Sequence, residues 1–118
     1  MDVEQKITTS YNVQIWCGLK EGYDGIVHTI DEVNSVCQKY VDAKKECVTV
    51  SPTSFIYTDG NEPGVVVGFI SYPRFPKGDW EILSRAKELA EILMKEFNQN
   101  RVTITTPEVS IMLENEKH

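Results

Sequence analysis

Residues 47–76 read CVTVSPTSFIYTDGNEPGVVVGFISYPRFP, and the fold of the chain turns on how this stretch is parsed. Cys47 to Tyr57 is rich in β-branched and aromatic residues, which pack well on a pleated surface. Pro52 interrupts it. Without an N–H, proline cannot donate to a sheet ladder, so this strand belongs at an edge or carries a bulge. Asp59-Gly60-Asn61-Glu62-Pro63-Gly64 concentrates turn formers and predicts a hairpin loop of these six residues. Val65 to Ile70 is a continuous apolar run, the pattern of a central strand covered on both faces. Tyr72-Pro73-Arg74-Phe75-Pro76 closes it.

Upstream, Tyr11, Val13, Ile15 and Cys17 alternate with Asn12, Gln14 and Trp16, the period of a strand with one buried face. A glycine-rich segment, GLKEGYDGIVH at 18–28, connects it to a helix. Thr29-Ile30-Asp31-Glu32 fits a capping box, in which Thr29 accepts from a backbone amide and Glu32 reaches back. Ile30, Val33, Val36, Cys37, Tyr40 and Val41 form one apolar stripe, and Cys37 belongs to it as a small core hydrophobe. Downstream, Asp79 is the expected N-cap of a second helix, with a stripe of Ile82, Leu83, Ala86, Leu89, Ala90, Leu93 and Phe97. Strands over 101–106 and around Val109, Ile111 and Leu113 follow. Residues 1–10 read as a loose arm, 11–114 as one domain and 115–118 as a charged tail.

This order, β-α-β-β-α-β plus a C-terminal strand, predicts an α+β ferredoxin-like two-layer sandwich. Its antiparallel sheet would be ordered 4-1-3-2, with both helices on one face. The uncovered face would expose Trp16 and alternate residues of the Val65–Ile70 run. An open apolar face needs a cover, so a homo-oligomer, dimer or trimer, is expected.

Composition narrows the function classes. The chain has 118 residues, a net charge of −6 and a pI near 4.9. That balance argues against nucleic acid and acidic membranes as partners. No apolar run reaches the roughly 20 residues of a membrane span. Three cysteines without CxxC spacing argue against a disulfide framework or a zinc site and fit a reducing cytoplasm.

A helix followed by CVTV, a Phe-Ile-Tyr segment, a turn, an apolar strand and a second helix resembles the core of the PII and CutA small trimeric proteins, from about Ile30 to Ile104. The resemblance implies a trimer of ferredoxin-like subunits. The long nucleotide-binding loop of PII proteins is absent.

With the first and third strands taken as parallel neighbours, the loops 18–28 and 72–78 would meet at one edge. Each leads to a helix N-terminus, where free amides favour an anion. The expected ligand-binding residues are Lys20, Tyr23, His28, Tyr72, Arg74, Phe75 and Lys77, cations beside aromatics that suit a phosphate on a flat base. Across these loops and the start of the second helix, cations and anions balance, so the edge is less acidic than the rest of the chain. Catalytic readings are weaker. His28 has no serine or cysteine at motif spacing and no second His-x-Thr or His-x-Ser. Asp59 and Glu62 are assigned to the turn at the sheet end opposite His28, and no Gly-Lys-Ser/Thr follows Gly60 or Gly64. The expectation is a non-catalytic cytoplasmic oligomer binding a small anionic ligand, a nucleotide or nucleotide-derived signal, as sensor or sponge, with no cofactor and no metal. The alternatives are an interaction module using the open sheet face and a small enzyme centred on His28.

Overall fold

The computed structural model describes residues 1–23, 25–73 and 77–115. Its elements are β1 (Val13–Gly18), α1 (Ile30–Lys44), β2 (Val48–Tyr57), β3 (Gly60–Phe69), α2 (Asp79–Glu96), β4 (Arg101–Thr105) and β5 (Ser110–Glu114). The strands form one sheet in the order β2-β3-β1-β4-β5, and every neighbouring pair is antiparallel. Pro52 sits in β2, an outer strand, where its missing donor costs least.

One face of the sheet is the core. Val13, Ile15 and Cys17 of β1, Val65, Val67 and Phe69 of β3, and Val102 and Ile104 of β4 meet Val33, Cys37 and Tyr40 of α1 and the stripe of α2. Most of these side chains are fully buried. Each removes apolar surface from water, worth about 1.5–3 kcal/mol for a Val, Leu, Ile or Phe side chain. Tyr40 keeps a polar tip: its hydroxyl donates to Glu88 Oε1 at 2.7 Å, tying α1 to α2. The start of β1 is pinned to the chain beyond β3 through Ser71, whose Oγ accepts from Tyr11 N (3.2 Å) and donates to Tyr11 O (3.1 Å).

Four details depart from expectation. First, the sheet is antiparallel as expected, and this includes β1 and β3, which the placement of the site had taken as parallel; their register runs from Val13↔Phe69 to Gly18↔Gly64. The end of β1 therefore lies beside the start of β3, and the loops after these two strands leave from opposite ends of the sheet.

Second, the hairpin is tighter than six residues. Tyr57 pairs with Gly60, leaving only Thr58 and Asp59 in the turn, with Asp59 at φ 63. Strand β3 continues through Pro63 because that stretch extends past β1. The carbonyl of Pro63 faces the β1 side and accepts from Leu19 N at 3.1 Å, so its nitrogen also points away from β2.

Third, the N-cap of α2 is Gly78, with Asp79 in the first turn. Fourth, the capping box of α1 is half formed. Thr29 accepts from Glu32 N at 3.2 Å, but the Glu32 carboxylate goes to His28.

The helix-free face is more polar than expected. By register it carries Gln14, Trp16 and Gly18 of β1, Thr49, Ser51, Thr53, Phe55 and Tyr57 of β2, Gly60, Glu62, Gly64, Val66 and Gly68 of β3, and Thr103 and Thr105 of β4. Trp16 is half-buried and donates its indole N–H to Thr105 Oγ1 at 2.9 Å. Aromatics from β2 cover glycines of β3: a Cβ at Gly64 would lie 2.1 Å from the Phe55 ring and 3.0 Å from the Cys17 carbonyl. No helix among the described residues is long and apolar enough to cross a membrane.

Replacing Gly64 with alanine should displace Phe55 and destabilise the protein by about 1–3 kcal/mol, as overpacking does. Chemical denaturation reads this directly. An unchanged midpoint would mean that Phe55 does not pack on Gly64.

Candidate functional site

The antiparallel pairing of β1 with β3 decides which residues can share a site. At the end where β1 finishes, the 19–28 loop folds back on itself. Lys20 bridges to Val27, Glu21 N donates to Ile26 O (2.9 Å), and His28 N donates to Leu19 O (2.7 Å). The turn after α2 docks onto this loop: Gln99 Nε2 donates to Lys20 O and Asn98 Nδ2 to Glu21 Oε1, each at 3.0 Å. Gln99 packs over Gly18, where an added Cβ would meet its Oε1 at 2.7 Å and Glu62 Oε1 at 3.6 Å. The lack of a side chain at Gly18 makes that slot.

Around the slot lies a cleft of about 380 Å³, lined by Lys20, Gly22, Tyr23, Tyr57, Glu62, Asn98, Gln99, Asn100 and Arg101. Tyr23 is 92% exposed and Tyr57 54%, the Tyr57 ring lying over Gly60. Among the described residues, neither Lys20 nor Glu62 has an ion-pair partner. Arg101 pairs with Glu114 across the β4–β5 ladder at 2.6 Å.

His28 stands behind this wall. Its Nε2 contacts Glu21 and its Nδ1 contacts Glu32, both at 2.6 Å, and its ring lies 4.9 Å from that of Phe97. Burial opposes the charged ring, but the hydrogen bonds to Glu32 and Glu21 outweigh it and raise the pKa above the ordinary 6.5. Hydrogen bonds from Asn98 and His28 lower that of Glu21. With both ring nitrogens held by carboxylates, neither is free for a metal, and among the described residues no cluster of ligating side chains fits one.

At the opposite end, a second cavity of about 430 Å³ is lined by Lys45, Glu46, Cys47, Phe69, Ile70, Ser71, Tyr72, Lys77 and Ile82. Tyr72 and Lys77 lie here, and the charge of Lys77 is already taken by the buried Glu46 carboxylate. Cys47 Sγ lies 3.5 Å from the Tyr72 hydroxyl.

The seven expected site residues therefore do not converge. Lys20 and Tyr23 line the cleft, His28 supports it, and Tyr72 and Lys77 are at the other end of the sheet. Arg74 and Phe75 lie outside the described residues. The sequence reading missed Tyr57, Glu62, Asn98, Gln99 and Arg101. It placed the hairpin turn away from His28, whereas the Gly18↔Gly64 pair brings the hairpin to the same end. Two glycines facing each other across a ladder were the available signal for a close approach there.

A scan against protein-family models gives no match, and no curated protein matches the sequence. Two solved structures share the fold end to end. A phage SAM lyase in complex with S-methyl-5'-thioadenosine superposes with a TM-score of 0.83 at 15% identity, over 100% of this chain and 99% of that one. A phage SAM lyase in the apo state gives 0.83 at 14% identity, over 99% of both chains. At this identity the likeness is one of fold. Both structures are of lyases, where the sequence reading pointed to PII and CutA proteins. The expectation of a non-catalytic protein is overturned here, because the fold is one that carries catalysis.

Thiol accessibility tests the arrangement. Burial pushes the Cys17 thiol up to about 12 and the Cys37 thiol up to about 11, whereas Cys47 is exposed. A thiol-reactive dye should label Cys47 rapidly in the native protein and the other two only on unfolding. Rapid labelling of Cys17 or Cys37 would contradict the buried core.

Proposed function

We propose that the protein is an enzyme that cleaves S-adenosylmethionine, and that the cleft lined by Lys20, Tyr23, Tyr57 and Glu62 receives this substrate. The observation that carries the reading is the match of the whole chain to both phage SAM lyase structures, one holding S-methyl-5'-thioadenosine.

The chemistry is within reach of such a cleft. S-methyl-5'-thioadenosine forms when the bond between the sulfonium sulfur and the γ-carbon of the amino-acid part breaks. The electron pair goes to sulfur, which leaves as a neutral thioether and needs no acid. In a lyase no water enters, so the γ-carbon is satisfied from within its own fragment. Either the α-carboxylate closes on it to form a lactone, or a β-proton departs to a base and a double bond forms. The protein must bind the adenosine, orient the amino-acid part and hold water away.

The residues at the β1 end fit these tasks. Tyr23 and Tyr57 offer faces for the adenine ring and for the sulfonium charge. Glu62, without a partner among the described residues, is placed to receive a cationic group, the ammonium or the sulfonium. Lys20 is placed to receive the α-carboxylate. The ligand in this reading is nucleoside-derived and carries both charges, in place of the purely anionic one expected. A homo-oligomer, dimer or trimer, belongs to the same reading, since the outer strands β2 and β5 each have a neighbour on one side only in the described sheet.

Incubation of the purified protein with S-adenosylmethionine should release S-methyl-5'-thioadenosine, detected by liquid chromatography. Glu62→Gln should lower turnover per KM by about 10–100-fold, the loss of a charge-assisted contact, with little change in thermal stability. No thioadenosine from the wild type would sink the lyase reading. Release unaffected by Glu62→Gln would move the site elsewhere.

A further inference from the structure

The His28 cluster has a property that the binding cleft alone does not explain. Its ring is held on both nitrogens by carboxylates from different parts of the chain, Glu21 in the loop and Glu32 in the first turn of α1. A neutral imidazole has one N–H and one lone pair, so it can donate to only one of them; the imidazolium donates to both. Glu21 also takes the amide of Asn98, which follows α2, and the ring packs on Phe97 of the same turn. One side chain thereby links the loop, the start of α1 and the end of α2. The loop it holds carries Lys20 and Tyr23, and the turn it reaches carries Asn98 and Gln99, so the linkage joins two walls of the cleft.

We propose that His28 is a positioning residue whose doubly protonated ring clamps the 19–28 loop against α1 and the end of α2. The cleft wall bearing Lys20 and Tyr23 is thus held while the ring is doubly protonated and released when it loses a proton. Among the described residues, the charged groups in contact with the ring are Glu21 and Glu32; α2 and its C-terminal turn contribute the uncharged Phe97 and Asn98. The positive end of the α1 dipole works against the imidazolium, and the two carboxylates override it.

The sign follows by linkage. A histidine whose pKa is raised in the closed loop favours closure at pH below its ordinary 6.5 and loses that effect as pH rises through the raised value. Glu21, lowered from an ordinary 4.5, favours closure above that value and loses it as the carboxylate protonates. The clamp is therefore strongest between the two ranges.

Amide hydrogen exchange of the ligand-free full-length protein, corrected for the intrinsic pH effect, tests this without any substrate, so it stands apart from the lyase reading. Protection of amides 20–23 and 25–28 should fall as pH rises above the ordinary histidine value of 6.5 and through the raised one, by roughly tenfold per pKa unit of the rise, while the β1 and β3 amides hold theirs. In His28→Gln the loop should show no such step. Glu21→Gln, which removes one carboxylate but keeps the histidine, should move the ring's NMR titration to lower pH and shift the step with it. A wild-type loop with flat protection over this range would overturn the proposal, as would a step that survives His28→Gln. If His28→Gln does not fold, an unmoved titration in Glu21→Gln would overturn it equally.

Discussion

The antiparallel pairing of β1 with β3 is the constraint on which the rest of the molecule depends. Its register, Val13↔Phe69 through Gly18↔Gly64, stacks Val13, Ile15 and Cys17 beside Phe69, Val67 and Val65 on the helix face. Because side chains alternate with period two, a slip of one residue would turn this apolar set to the open face. The same register fixes which loops are neighbours. It carries the β2–β3 hairpin past the end of β1, so that Leu19 can donate to Pro63 and Glu62 can sit beside Gly18 and Gln99.

Charge is distributed in a way that net charge conceals. Of the cations expected to form an anion cradle, Lys77 is committed to Glu46; elsewhere Arg85 pairs with Glu88 and Arg101 with Glu114. The more exposed pairs, those of Arg85 and Arg101, add little stability, but all three pairs occupy their donors. Among the described residues, the cleft at the β1 end holds a lysine and a glutamate without ion-pair partners, and two exposed tyrosines.

Much of the architecture was legible beforehand, and for identifiable reasons. The helix stripes at three- and four-residue steps, the alternation in β1 and the capping Thr29 each reflect a local period or a local hydrogen bond. Pro52 marked an edge strand because a missing N–H cannot be hidden in a central one. The hairpin length was misjudged because Gly60, Asn61, Pro63 and Gly64 are turn residues by type. They nonetheless extend β3, with Gly60, Asn61 and Pro63 beyond the last β1 pair and Gly64 opposite Gly18. Glu32 was read as a capping partner for the backbone, but a neighbouring histidine offered it a stronger, charge-assisted bond.

The candidate site was legible only in part. Lys20, Tyr23 and His28 were singled out as a glycine-rich loop beside a helix start, and they do gather at one end. Tyr57, Glu62 and the Asn98–Arg101 turn are far from that loop in the chain, and no spacing rule links them to it. What the sequence determined by itself is the set and order of elements, the faces of the helices and the edge position of β2, because those follow from side-chain periodicity and from groups that proline lacks. What only the tertiary structure decided is which loops meet. Strand direction in a sheet comes from the pairing of backbone groups distant in sequence, and the pattern of side chains along one strand carries no record of its neighbour's direction.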